Sequence, residues 1–443
     1  MDVRDPGSRS AVDQGVTIAV GPRSISAVRV LILAMFADTL GSGLVVPFEL
    51  LFGTELAGLT LVETGIALSI GTGLGIAAGP IAGALVDRVG PFRVVIGANA
   101  MAILGCLALI VAHGFVAFVV ATFILAAAAR AFWAAYAPLT AAVVDATDLE
   151  TWFGRFRAVR YAGIAMGASV ASFALLAGRD TGLRLVLLVD AVSYIVAIGL
   201  YVTAARVQRH RPVERLTVTR DKPPVADAPG GYRIALGDRA NVITATLNVL
   251  STLIVTMPFL ALPIFALDQM GMPVWVPGAV VALGTMAVAI PTFFAGRLGR
   301  GRPRLVLLAV AAGLWSVGNM LMVGVATVPA MATQILLLAA ITLGLGEALY
   351  APTADALPLA LAPAGLAGRY SAIHQLAWGI SGTLAPVLTA WLLVVGNQAV
   401  WLVLTMTAAI LVIAYLSLER RYGERAGVSG VTIGGADRAV IPT

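Results

Sequence analysis

The chain has 443 residues, of which 59% are hydrophobic and only 12% charged, with 47 glycines and a single cysteine. Soluble domains carry about 25% charged residues, so this composition excludes one soluble core and requires a surface that faces lipid. The net charge of +6 falls in short loops between apolar runs, the pattern of a cytoplasmic membrane face rather than of a nucleic-acid partner. The lone Cys106 excludes an intrachain disulfide or a cysteine metal cluster, and its apolar setting reads as a buried, inert thiol.

Residues 1–26 are polar and read as a cytoplasmic tail with no signal peptide. A membrane helix needs about 20 apolar residues, and such runs follow at 27–50, 62–86, 93–112, 115–140, 158–177 and 184–204. Residues 205–240 mix charge with Pro and Gly and read as a flexible cytoplasmic linker. Six further runs occupy 241–266, 275–297, 305–325, 331–356, 371–395 and 398–417, before a polar tail at 418–443, expected to be mobile. The sequence therefore predicts an all-α integral membrane protein of twelve transmembrane helices, in bundles over 27–204 and 241–417. Long continuous runs argue against a membrane β-barrel, whose strands alternate in short segments.

With both termini in the cytoplasm, nearly all of the 29 basic residues lie inside. Arg179 and Arg184 are left outside and Arg130 within span 4. The positive-inside bias selects this orientation, and the reading is a multi-pass plasma-membrane protein.

The charged turn between spans 2 and 3 reads Gly83-Ala-Leu-Val-Asp87-Arg88-Val-Gly90-Pro91-Phe92-Arg93. The halves repeat: Tyr136-Ala-Pro138 recurs as Tyr350-Ala-Pro352, and Phe153-Gly154-Arg155-Phe156-Arg157 faces Ala367-Gly368-Arg369-Tyr370-Ser371 at the same offset. The turn has a weaker echo at Gly296-Arg-Leu-Gly-Arg-Gly-Arg302, where Gly296 replaces the acid. Internal repeats on this scale mark transporters.

These residues resemble the major facilitator superfamily. The turn is similar to its loop motif Gly-x-x-x-Asp-Arg-x-Gly-x-x-Arg at Gly83, Asp87, Arg88, Gly90 and Arg93, with Pro91 and Phe92 after the second glycine. Arg130 stands where the family has a span 4 arginine, and Ala134 where that motif has Gly. Phe36-Ala-Asp38-Thr-Leu-Gly41-Ser-Gly43 and Leu-Val-Asp190-Ala-Val-Ser-Tyr resemble patterns of efflux members. Span 5, Gly163-Ile-Ala-Met-Gly167, lacks the Gly-Pro signature of many drug/proton antiporters. The resemblance covers 27–417 and implies two pseudo-symmetric six-helix bundles, with spans 1, 4, 7 and 10 lining a central cavity. It also implies that Asp87 meets the start of span 11 and latches the outward-open state.

A charge inside a span is costly and marks a functional site by default. Asp38, Arg130 and Glu347 are the candidates for proton coupling, with Asp38 and Arg130 as a pair or within reach of each other through water; the alternatives are a static packing pair and a hydrogen-bonded neutral glutamic acid. Thr244, Asn248, Thr252 and Thr256 lie on one face of span 7, either lining the cavity or joining helices. Pro258 and Pro263 predict a broken or kinked outer end for that span. Gln375 and Trp378, with Trp133, Tyr136 and Tyr350, are candidate cavity walls or packing. Asp190 reads as a structural buried acid, His113 and His374 as interface residues, and Gly71-Thr-Gly73-Leu-Gly75 as a helix-contact run.

No phosphate-binding Gly-x-x-x-x-Gly-Lys loop occurs, and Lys222 is the only lysine, so the energy source is expected to be a proton gradient, with no cofactor, no metal and no enzymatic activity. The leading reading is a monomeric, proton-coupled exporter of small hydrophobic or cationic compounds. The alternatives are a metabolite uptake symporter on the same fold and a non-transporting membrane scaffold.

Overall fold

The computed structural model describes residues 25–144, 149–209, 231–298, 301–363 and 366–428, and these are helical almost throughout. Eleven helices are long and apolar enough to cross a membrane. In order they are Val28–Leu56, Leu61–Val89, Pro91–Val111, Gly114–Thr140, Arg155–Ala177 and Arg179–Gln208, then Arg239–Gln269, Arg304–Val325, Pro329–Leu361, Ala367–Val395 and Ala399–Ala426. The helix Trp275–Leu298, apolar over Trp275–Pro291, is the eighth span and completes twelve. Both described ends of the chain lie at one end of the bundle, the proximal end; the opposite end is distal.

Local sequence sets the breaks. Thr60 and Glu63 cap span 2 reciprocally: the Thr60 Oγ accepts from the Glu63 N–H at 3.3 Å, and the Thr60 N–H donates to Glu63 Oε2 at 2.9 Å. Span 2 is interrupted after Gly75 and resumes as Ala78–Val89. Gly90 ends it at φ +88°, a left-handed conformation that favours glycine, and Pro91 then starts span 3 at its first turn. Span 7 is not broken at Pro258. It runs on through Pro263 and widens into a π-turn over Ile264–Gln269, as span 1 does over Phe52–Leu56.

Small residues let backbones touch. A Cβ on Gly167 would lie 2.1 Å from the Leu40 carbonyl oxygen, and one on Gly43 2.3 Å from that of Ile164, so spans 1 and 5 pack main chain on main chain. The glycine run in span 2 serves two partners: Gly71 and Gly75 sit against Thr122 and Ala126 of span 4, while Gly73 faces Thr383 of span 11. Side chains such as Val116 and Ile413, about 70% exposed, form the lipid-facing surface.

The two halves meet chiefly along two pairs of spans. Span 2 packs on span 11, where Gly65 approaches Pro386 and Ala390 and the Val387 N–H donates to Ser69 Oγ at 3.2 Å. Span 5 packs on span 8, where Gly278 meets Ala168 and Ser172. At the distal end Arg179 bridges Glu55 at 2.9 Å and Asp268 of the other half at 2.5 Å. The proximal part of span 2 instead packs on spans 3 and 4 and parts from span 11.

The described parts of the segments between and after the bundles are largely helical. Span 6 continues as helix to Arg209, residues Gly231–Gly237 form a short helix, and the last helix reaches Ala426. The chain after it docks on span 9: Arg304 Nη1 donates to the Ala426 carbonyl at 2.6 Å, and Pro303 and Val428 form a bridge. Asp238 caps span 7 through the Ala240 N–H and receives Tyr370 Oη at 2.8 Å and Arg425 Nη2 at 2.6 Å. Burial raises its carboxyl pKa, but the hydrogen bonds from Arg425 and Tyr370 outweigh this and hold it below the ordinary value. The tail 1–24, the linker centre 210–230 and the end 429–443 lie outside the described residues.

Candidate functional site

The functional candidates divide between the boundary of the two halves and the interior of the first bundle. At the boundary, span 5 presents Arg157 and Tyr161, one turn apart, towards span 10. Tyr161 Oη donates to Glu347 Oε1 at 3.0 Å, and Arg157 pairs with Asp355 at 3.0 Å. Glu347 is thus a span-embedded carboxylate whose hydrogen bond comes from the opposite half. Arg160, next to Tyr161, places its guanidinium 4.9 Å from the centroid of Trp133 on span 4, a cation–π contact. Trp133 is edge-on to both Phe132 and Tyr136, and Tyr136 packs in turn on Phe156.

Arg130 lies one turn before Trp133 and points across the boundary. Its Nη2 is 3.6 Å from the position a Cβ would take on Gly382 of span 11, beside Thr72 of span 2. The guanidinium makes no hydrogen bond or ion pair among the described residues. Trp378, one turn before Gly382, and Gln375 are exposed on the same helix.

The expected Asp38–Arg130 pair is not formed. Span 1 packs against spans 5 and 6, and span 4 against spans 2 and 3. Asp38 is buried inside the first bundle beside the Asn99 side chain, with Asp190 and Arg160 as charged neighbours. Asp190 is 1% exposed. It accepts from the Cys106 thiol at 3.2 Å and from Ser193 Oγ at 3.3 Å. Gly41 makes room for it, since a Cβ there would fall 1.9 Å from Asp190 Oδ1. The single thiol is therefore buried, and it is also a donor to a buried acid.

The polar stripe of span 7 joins helices instead of lining a cavity. Thr244 Oγ is 3.3 Å from His374 Nε2, the Asn248 amide donates to the His374 carbonyl at 3.1 Å, and Thr252 donates to the Ala377 carbonyl at 3.3 Å. Ser381 Oγ donates to Thr256 at 3.2 Å, so all four positions bond to span 11. Tyr350 belongs to this seam: it is 2% exposed, donates to Asn248 Oδ1 at 2.6 Å and packs on Trp315. These side chains satisfy one another's polar groups, which is why they are buried and not open to a ligand. His374 is buried in the seam, whereas His113 is exposed at the turn into span 4.

In the turn between spans 2 and 3, Asp87, Arg88 and Arg93 are exposed and make no ion pair among the described residues. The expected contact of Asp87 with the start of span 11 is not formed, because the proximal part of span 2 packs on spans 3 and 4 and not on span 11. Gly83 and Gly90 have open space around them.

Sequence reading missed Arg157, Arg160 and Tyr161. Arg160 carried a legible signal, since it is a charge within the run 158–177. Tyr161 carried none, because only the fold shows that it faces Glu347.

A family model described as Major Facilitator Superfamily matches residues 31–338. No curated protein sequence matches the chain. Among solved structures, a peptide transporter POT in complex with sulfate superposes with TM-score 0.69 at 16% identity, covering 91% of this chain and 96% of that one. A POT family transporter in complex with 5-aminolevulinic acid gives 0.69 at 12% identity, covering 89% and 96%. Tetrameric PepTSo2 gives 0.66 at 13% identity, covering 89% and 98%. At these identities the likeness is one of fold.

Proposed function

This chain belongs to the major facilitator superfamily and is a membrane transporter, and from that premise we propose that it is a proton-coupled exporter of small hydrophobic or cationic compounds. The observation that carries the reading is the Tyr161–Glu347 hydrogen bond across the two halves. A proton and a cationic substrate compete for one carboxylate, and either outcome changes the bond that ties the halves together. That competition is the minimum needed to exchange one for the other.

With the termini in the cytoplasm of a plasma membrane, the closed distal end is the outer gate and the open proximal end the inner one. Arg179 then holds the inward-open state, and the turn at Asp87 and Arg88 acts in the opposite state, when the proximal end closes. Asp38 is a second proton-accepting site inside the first bundle, supported by its burial among Asn99, Asp190 and Arg160. Arg130, Trp133, Gln375 and Trp378 form the wall through which substrate passes. The transporter is taken to act as a monomer, with no cofactor other than the proton gradient.

The test is transport in proteoliposomes under an imposed pH gradient. Export driven by inward proton flow, lost in Glu347→Gln and in Asp38→Asn with insertion intact, is the expected result. Full proton-driven transport by Glu347→Gln would refute the coupling assignment. A second reading, uptake symport, is favoured by the structural neighbours named as peptide transporters; the same vesicles separate the two by the direction of net movement.

A further inference from the structure

The second bundle holds a cavity of about 70 Å³ behind Glu347. Its walls come from four helices: Ile254 and Pro258 of span 7, Val281 and Thr285 of span 8, Trp315 of span 9, and Glu347 of span 10. Glu347 is the one ionisable side chain on this lining. The other polar groups are already used: Thr285 donates to the Val281 carbonyl at 2.7 Å, and Trp315 Nε1 to that of Leu343 at 3.2 Å. Glu347 Oε1 accepts from Tyr161, while Oε2 has no hydrogen-bond partner among the described residues. The neighbouring guanidinium groups are also engaged, Arg157 with Asp355 and Arg160 on the Trp133 ring.

A water needs about 10–15 Å³ of such space. The cavity therefore has room for a single alkyl or phenyl group and not for a whole peptide. Apolar walls with a single carboxylate oxygen at the rim fit a ligand with an apolar body and one cationic head.

We propose that this cavity is the subsite that sets substrate specificity, taking the apolar group of an amine, about six carbons long, whose ammonium binds Glu347 in place of the Tyr161 hydroxyl. The inference rests on the transport reading for its role, but the binding can be measured without transport.

The experiment titrates the purified full-length protein with straight-chain primary amines of increasing length, and with alcohols and carboxylic acids of the same lengths, by calorimetry. Affinity for amines should rise about fourfold per CH₂ and stop rising near six carbons. Alcohols of equal length should bind at least about tenfold more weakly, because they lack a charge-assisted bond. Glu347→Gln should remove the preference for amines and keep the dependence on length. Tyr161→Phe should tighten amine binding by removing the competing donor. Gly284→Ala should shorten the preferred chain by about one carbon; its added Cβ meets only ordinary contacts, the nearest being the Ala340 carbonyl oxygen at 3.5 Å, so the fold is kept.

Affinity without a break in length, or an amine preference that survives Glu347→Gln, overturns the subsite. If proteoliposomes still show proton-driven export of other compounds, the subsite fails and the transport reading stands. Amines that bind with the expected break but are never moved by a pH gradient leave the site in place and overturn the transport reading.

Discussion

Removing Arg179 should open the distal end of the transporter. Its guanidinium bridges Glu55 of its own half and Asp268 of the other, and only the second link spans the halves. The three side chains are 40%, 31% and 34% exposed, so solvent screens them. Ion pairs at this exposure contribute about 0.2–1 kcal/mol each. The 2.5 Å contact with Asp268 places that link at the upper end, about 1 kcal/mol, or a factor of about 5 in the equilibrium between distal-closed and distal-open states. The chain suits a thiol-labelling assay, because its one cysteine, Cys106, is fully buried. Ser172 is buried at the junction with Gly278 and becomes reachable from the distal side only when the halves part there. In a Ser172→Cys background, labelling by a membrane-impermeant maleimide should be about fivefold faster with Arg179→Ala. Asp268→Ala should reproduce this increase, Glu55→Ala should give much less of it, and high salt should shrink the difference. An unchanged rate with Arg179→Ala, or equal effects of Glu55→Ala and Asp268→Ala, would refute the clamp.

Gly41→Ala should destabilise the first bundle by about 1–3 kcal/mol or more, since its Cβ would overlap Asp190 Oδ1; the apparent melting temperature in detergent reads this out, and an unshifted melt would mean that spans 1 and 6 are not so closely packed. Tyr350→Phe should cost about 1–3 kcal/mol by stranding Asn248 Oδ1 in the buried seam, and a neutral effect would show that water reaches it. Asp238 has a lowered pKa in the folded state, so its ionised form contributes stability above the ordinary aspartate range, and that stability is lost as pH falls through the folded value. Asp238→Asn should therefore be less stable than the parent at neutral pH, and thermal melts of the two should converge in acid. A stability gap that persists in acid would mean that the Asp238 carboxylate charge is not what holds Arg425 and Tyr370.

The sequence by itself determined the class and layout. Unbroken apolar runs can only be membrane helices, because hydrocarbon leaves backbone groups no partner outside the segment. The repeats around Tyr136 and Tyr350 showed two related bundles, and the glycine run at residues 71–75 announced close helix contacts. Asp38, Asp190 and Glu347 stood out because a carboxylate inside a span is costly. What each of them touches was decided by the tertiary structure. Helical periodicity puts Thr244, Asn248 and Thr252 on one face, but it cannot say whether that face meets span 11 or a cavity; here it meets span 11. Asp38 and Arg130 are both charges inside spans, yet their helices pack on different neighbours, so Asp38 faces inward to Asn99 and Asp190 while Arg130 faces Gly382. Tyr161 is an unremarkable aromatic in sequence, 186 residues from Glu347 along the chain. Only the apposition of spans 5 and 10 from opposite halves makes it the donor to that carboxylate, because contact across two bundles depends on how they are set against each other and not on any local pattern.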